Sequence, residues 1–327
     1  MGEPGYPCAP LRLYHESLTV AFRRGESSSA AGQTSSRGKE IKTMPFVDTD
    51  GIRTRYDVMG DGPALLMYAP GGFDARIEQW TELAVYKRIK LLDHLPKKYK
   101  CIVFDRRENG QSGGRVERIT WNHFVRQGAG LLDALGVEKA HIMGGCMGCC
   151  PVAAFAVAHP ERTLSMVHYW PVGGAKYRIS SHQRFSRHLA FVEEFGLPGV
   201  VDLVRSHDKN FSRDPRGGPW GQPIRNSAEF AESYAALDKA RYLVTVTAMV
   251  RGLIDRDTAP GAEPEDLMNL DIPSLIVPGD DDFHATSAAR YLQECLSGAE
   301  YWDVPVDRQT EENAPKRVLD FLDSIAA

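Results

Sequence analysis

No stretch of this chain reaches the roughly 18 consecutive apolar residues of a membrane-crossing helix, and its N-terminus lacks the apolar core of a secretory leader. Basic residues are not in excess. Against 43 Asp and Glu stand 39 Lys and Arg, a formal charge of −4, which offers no field for nucleic acid. Cysteine is sparse: six residues (8, 101, 146, 149, 150 and 295) at irregular spacing in 327 encode no disulfide framework, so a reducing, cytoplasmic setting is expected. Phosphate-cradling loops, dinucleotide fingerprints and metal-ligand clusters are missing from the sequence. The CxxC spacing of Cys146 and Cys149 has no second pair to complete a structural zinc site. Neither cofactor nor metal is expected, and the expected partner is a small-molecule substrate rather than nucleic acid or membrane. No internal repeat is visible, and nothing in the sequence sets an oligomeric state. What remains is an ordinary globular composition, 43% apolar and 25% charged, in a length that suits one large α/β domain with or without an insertion.

The segment Gly25 to Lys39, GESSSAAGQTSSRGK, is too polar to fold alone. Residues 1–43 therefore read as a disordered tail or as a start placed too early; the acidic Glu3, Glu16 and Glu26 argue against a transit peptide. From Met44 the texture changes. Phe46 to Asp57 reads as a strand pair turning at Asp50-Gly51. Short apolar runs follow at Ala64–Ala69, Cys101–Asp105, Ala140–Gly144, Leu164–Tyr169, Pro273–Val277 and Glu300–Val304. Runs of this kind suit strands buried on both faces of a parallel sheet. Between them lie helical periods: Trp121 to Leu135 with Thr120 as its cap, Pro151 to His159, and Pro315 to Ile325. Strand alternating with helix predicts an α/β fold, a mostly parallel sheet covered by helices on both faces. The rhythm breaks over 171–268, where helical stretches (184–194, 227–237, 242–254) flank a Pro/Gly-rich link. That region reads as a helical lid inserted into a core of 44–170 and 269–327.

Gly144-Gly145-Cys146-Met147-Gly148 falls between a strand and a helix. A Gly-x-nucleophile-x-Gly turn in that setting holds its central residue in a strained conformation, and small neighbours permit the close approach this requires. The helix that follows points its N-terminus at the sulfur and favours a thiolate and a developing oxyanion. A buried structural cysteine in a Gly-rich turn is the competing reading.

The chain from about Met44 onward resembles the α/β-hydrolase fold superfamily. Asp50-Gly51-Ile52 looks like its opening strands, and Ala69-Pro70-Gly71-Gly72-Phe73 sits where the family has a His-Gly-x oxyanion loop. Phe104-Asp105-Arg106-Arg107-Glu108-Asn109-Gly110-Gln111-Ser112 resembles its Asp-x-Arg-Gly-x-Gly-x-Ser stretch. His159-Pro160-Glu161-Arg162 resembles the end of the helix after the elbow, and Gly279-Asp280-Asp281-Asp282 its acid loop. Two departures stand out. The nucleophile is Cys146 where most members have serine, and the stretch Val304 to Asn313, where the family has its catalytic histidine, contains none.

Acyl transfer still needs a proton for the leaving group. Of ten histidines, His284 is the best placed, on the loop after the seventh strand; His168, near the end of the sixth, is a weaker candidate. A gap-free match to the family's Gly-x-x-Asp favours Asp282 as the supporting acid, with Asp281 as rival. The resemblance places the oxyanion hole at the N–H of Met147 and that of Gly72 or Phe73. Phe185, Phe191 and Trp220 are candidates to line a pocket. The activity implied is hydrolysis of a small ester, lactone or related acyl compound through a Cys146 acyl-enzyme. Two alternatives stay open: acyl transfer through the same thioester, and a non-catalytic binding protein that lost the terminal histidine.

Overall fold

Asp50 and Gly51 both adopt left-handed backbone angles, φ 51° and 67°. That twist matches a two-residue hairpin and folds β1 (Phe46–Thr49) back on β2 (Ile52–Met59). In this computed structural model residues 45–325 are described, apart from residue 257; the expectations for 1–43 fall outside the described residues. The remaining strands are β3 (Ala64–Tyr68), β4 (Lys100–Phe104), β5 (Ala140–Gly145), β6 (Thr163–Tyr169), β7 (Ser274–Val277) and β8 (Glu300–Tyr301). They form one sheet in the order β1-β2-β4-β3-β5-β6-β7-β8. Only β1 and β2 run antiparallel to their neighbours. Strands β3 to β7 are buried almost throughout, as their unbroken apolar runs require. β8 is shorter than its pattern suggests, because the Val304 N–H turns back to the Trp302 carbonyl instead of extending the ladder.

Helices cover both faces. Short helices α1 (Gln79–Glu82), α2 (Ala84–Ile89) and α3 (Leu91–His94) pack with α12 (Ala314–Asp323) on one apolar cluster. On the other face lie α4 (Trp121–Ala134), α5 (Cys149–Ala158) and α11 (Thr286–Cys295). Thr120 does cap α4, in a box closed by the His123 side chain. Between β6 and β7 come only helices among the described residues: α6 (Ala175–Ser206), α7 (Gly221–Asn226), α8 (Ala228–Ala235), α9 (Lys239–Ile254) and α10 (Pro264–Met268). The predicted helix over 184–194 is part of α6, which breaks at Gly196 (φ 68°) just before Pro198. None of the described helices is long and apolar enough to cross a membrane.

The strand ends that share one edge bring the chemistry together. The Asp105 carboxylate, fully buried at the end of β4, accepts from the N–H groups of Ile77 and Gln111 (2.8 and 2.7 Å) and from Arg55. Those bonds fix the loop after β3 against the loop after β4.

Candidate active site

Cys146 leaves β5 at φ 54°, a left-handed angle that costs a β-carbon residue free energy. The spacing of small residues around it has a direct cause. A Cβ on Gly144 would lie 2.2 Å from the Gly148 carbonyl oxygen, and one on Gly148 would lie 2.3 Å from the Tyr68 oxygen. A Cβ on Gly145 would lie 2.6 Å from the Tyr86 hydroxyl, which donates to the Tyr169 carbonyl. The turn therefore has room for no side chain except those of Cys146 and Met147. Cys146 is half-buried and lines a cavity of about 650 Å³ with Met147, Gly71, Trp170, Tyr177 and His284.

His284 stands on the loop between β7 and α11, its side chain 12% exposed. Its Nδ1 lies 2.8 Å from Asp281 Oδ1, and the same oxygen accepts the N–H groups of Phe283 and His284 at 2.8 and 2.9 Å. The Trp170 ring flanks the imidazole at 5.4 Å. A side chain on Gly279 would strike the His284 Cβ at 2.6 Å, so the glycine lets the loop close on itself. The imidazole Nε2 is buried. It shares the cavity with the Cys146 sulfur, and each group shifts the other. Burial pushes the thiol up, but the His284 charge and hydrogen bond together with the Gly71 and Met147 N–H groups outweigh it and draw Cys146 down to about 7. Burial pushes His284 down, but the Cys146 sulfur and Asp281 outweigh it and raise it to about 10. The favoured state is a thiolate beside an imidazolium, a hydrogen bond between them being among the causes of both shifts. Asp281 is held down at about 2, chiefly by its bond to His284.

The expected supporting acid stands elsewhere. Asp282 does not face His284; its carboxylate is 66% exposed and lies 2.6 Å from Lys176 Nζ on α6. The carboxylate on the imidazole is that of Asp281, because a turn of three residues returns position 284 over position 281 and not over its neighbour. The backbone N–H groups of Gly71 and Met147 act on the sulfur, and Gly72 and Phe73 follow directly in the same loop. Gly71 and Gly72 both take left-handed angles (φ 115° and 60°), which glycine adopts without strain. The Phe73 ring instead packs edge-on against Phe185 and Phe211 at 5.5 and 5.7 Å.

The segment 304–313 holds a buried Gln309 whose amide is fully engaged. It accepts from Tyr169 OH and Trp170 Nε1 (3.1 and 2.8 Å) and donates to the Pro278 and Val304 carbonyls (3.0 and 3.1 Å). His168 is buried within β6 and does not line the cavity. Phe185, Phe191 and Trp220 do not line it either; Trp220 is fully buried and donates to the Arg115 carbonyl. Sequence reasoning missed the cavity cations Arg184, Lys209 and Arg213, none of which forms an ion pair among the described residues. Arg184 lies on α6 but Lys209 and Arg213 on the loop that follows it, so no periodic signal marked them.

The two acids make opposite predictions. Asp281→Asn is expected to lower kcat/KM on a small aryl ester at least about 10-fold. That is well short of the ~10⁴-fold known for a serine triad, because a thiol depends less on its base. Asp282→Asn should leave the rate within about threefold, as befits an exposed ion pair. Steady-state kinetics on both variants checks the assignment.

Residues 65–183 match a family model described as the alpha/beta hydrolase fold. The chain is 46% identical over 129 residues to a 2-hydroxy-6-oxo-6-phenylhexa-2,4-dienoate hydrolase of Comamonas testosteroni, covering 38% of this chain and 42% of that protein. It is 33% identical over 128 residues to the dihydrolipoyllysine-residue acetyltransferase component of the acetoin cleaving system of Cupriavidus necator, covering 39% and 32%. The chain thus spans less than half the length of these curated relatives. Among solved structures, the enol-lactonase from Burkholderia xenovorans LB400 aligns at TM-score 0.53 and 20% identity, covering 86% of this chain and all of that one.

Proposed function

The chain belongs to the α/β-hydrolase fold superfamily, and from that premise we propose that it hydrolyses a small ester, lactone or related acyl compound through a thioester on Cys146. The observation that carries the reading is a sulfur at a strained elbow on a cavity wall, with Asp281-oriented His284 across from it. The Cys146 thiolate attacks the carbonyl carbon, and the displaced π electrons settle on oxygen between the Gly71 and Met147 N–H groups. The tetrahedral intermediate collapses, the acyl C–O bond breaks, and the His284 imidazolium gives its proton to the departing alkoxide. Now neutral, His284 takes a proton from water as that water attacks the thioester, and the thiolate leaves. Asp281 keeps the imidazole in one tautomer throughout. The insertion α6–α10 serves as the lid, clamped to the core by Lys176 on Asp282 and by Asn210 on Asp74 (2.6 and 2.9 Å).

The cavity carries both cations (Arg76, Arg184, Lys209, Arg213) and carboxylates (Asp74, Glu82, Asp208, Asp281), a lining suited to a polar acyl compound. The binding-protein alternative drew on the missing terminal histidine; with His284 beside the sulfur, that argument loses its force.

The test is to trap the intermediate. An aryl ester mixed with the enzyme and quenched early should add one acyl mass at Cys146, discharged by hydroxylamine. Steady-state rates should rise with pH through about 7, as the thiol ionises, and fall near about 10, as the imidazolium loses its proton. Those limbs belong to the pair rather than to either residue. Absence of both adduct and turnover across an ester and lactone panel would defeat the proposal. Product transfer to an added amine in preference to water would move it to acyl transfer.

A further inference from the structure

Trp170 leaves β6 at φ 55°. A left-handed angle on so bulky a residue is strained, and it persists only where the surroundings over-determine it. The backbone is held by the Trp170 N–H, which donates to the Val277 carbonyl at 2.8 Å. The indole is buried, lines the cavity, and donates from Nε1 to Gln309 Oε1 at 2.8 Å. Its ring lies 5.4 Å from the His284 imidazole, centroid to centroid, tilted by 53°. Gly279 passes close by: a Cβ there would lie 3.2 Å from Trp170 Cδ2.

Gln309 is fully buried and does not line the cavity. Its amide reaches three strand ends. Oε1 accepts from Tyr169 and Trp170 at the end of β6, and Nε2 donates to the Pro278 carbonyl just after β7 and to the Val304 carbonyl beyond β8. Two neutral donors and two carbonyls need an amide, which both accepts and donates, where a carboxylate would only accept. Pro278 stands at the root of the loop that carries His284, so one amide ties the indole to that loop. A second tie lies beyond the indole: the Gly173 N–H donates to the Phe283 carbonyl at 3.1 Å, and Gly173 forms a parallel bridge with His284. Asp281 grips the imidazole at Nδ1 alone. A ring held through one atom can still swing about it, and that swing carries Nε2 off the sulfur. The indole stands against the ring and blocks the swing on its side.

We propose that Trp170 and Gln309 are positioning residues for His284: Gln309 aims the indole, and the indole holds the imidazole toward Cys146. Glycine at position 170 would relieve the strained angle and remove the wall beside the imidazole with it. Gln309 acts at one remove, through the indole and through Pro278. This role rests on the reading of Cys146 and His284 as the reacting pair.

The test asks whether the effect passes through His284. Trp170→Leu removes the ring, Trp170→Phe keeps a ring but loses the bond to Gln309, and Gln309→Met loses that bond from the other side. Each is made in the full native chain and in His284→Ala. Two quantities are read: the rate at which iodoacetamide labels Cys146 at pH 7, located by peptide mass, and kcat and KM on an aryl ester. In the native chain Trp170→Leu should slow labelling and lower kcat about 10-fold or more, with KM within about threefold. Trp170→Phe, which keeps an aromatic wall, should recover at least part of both rates. Gln309→Met should fall between the two; it strands several buried partners, so Trp170→Phe answers the same question should that variant not fold. In the His284→Ala background each of these effects should shrink to within about twofold, because the group they act through is gone. Native rates in Trp170→Leu overturn the role. So does a raised KM with kcat unchanged, which marks the indole as a wall that binds substrate, and so does a loss that persists in full in the His284→Ala background, which marks a merely structural residue. A native Cys146 labelled no faster than an ordinary thiol would instead strike at the nucleophile reading, so the two failures are distinct.

Discussion

Cys146→Ala is expected to lower kcat by about 10⁴-fold or more, with no acyl adduct detectable by mass. Removing the sulfur removes the bond-forming atom, so water would have to attack directly, and His284 is not placed to serve that reaction at the original rate. The residue of catalysis that survives comes from the oxyanion donors, which the substitution leaves in place. Cys146→Ser is expected to fall nearly as far. A hydroxyl does not ionise near neutrality, so the charge pair with His284 is lost and the serine must surrender its proton during attack. The fold should survive either change, because alanine and serine occupy less space than cysteine and inherit the same strained φ of 54°. The thermal midpoint of both variants should lie within a few degrees of the native value. A variant that melts normally and still turns over an aryl ester at a tenth of the native rate would refute the thioester path outright.

The sequence made this turn legible because the fold leaves it few alternatives. Close approach of Gly144, Gly145 and Gly148 to neighbouring backbone and Tyr86 excludes side chains, and that exclusion writes itself as glycine spacing. The parallel strands were legible for a related reason. Burial on both faces demands unbroken apolar runs, and the hairpin at Asp50-Gly51 demands residues that accept left-handed angles. What the sequence could not carry was loop register. Asp281 and Asp282 are chemically identical, and which of them meets His284 depends on a three-residue turn whose dihedral angles no periodicity encodes. Aromatic residues of the insertion posed a different difficulty: a cavity wall and a core both call for Phe and Trp, so Phe185, Phe191 and Trp220 could be placed only by coordinates.

His284→Ala is expected to cost about 10² to 10⁴-fold in kcat/KM, with a characteristic change in pH dependence. In the native protein the imidazolium is the largest influence that opposes the burial of Cys146. With the ring gone, burial dominates and the thiol rises, so labelling by iodoacetamide should move to higher pH. The near-neutral limb of the rate profile should move with it. The limb near about 10 should vanish, because the group that gave it no longer exists. Added imidazole should restore part of the rate, since the cavity remains and the Asp281 carboxylate stays in place, held by the N–H groups of residues 283 and 284, to orient a ring. A structural histidine would behave otherwise. Its loss would lower the melting temperature, leave the pH at which Cys146 reacts unchanged, and give imidazole nothing to rescue. The contrast matters because the usual segment for the base, 304–313, holds a Gln309 whose four hydrogen bonds are all spent on Tyr169, Trp170, Pro278 and Val304. An amide so engaged neither gives nor takes a proton near neutrality. If His284 does not move the proton, no other described histidine on this cavity is left to do so.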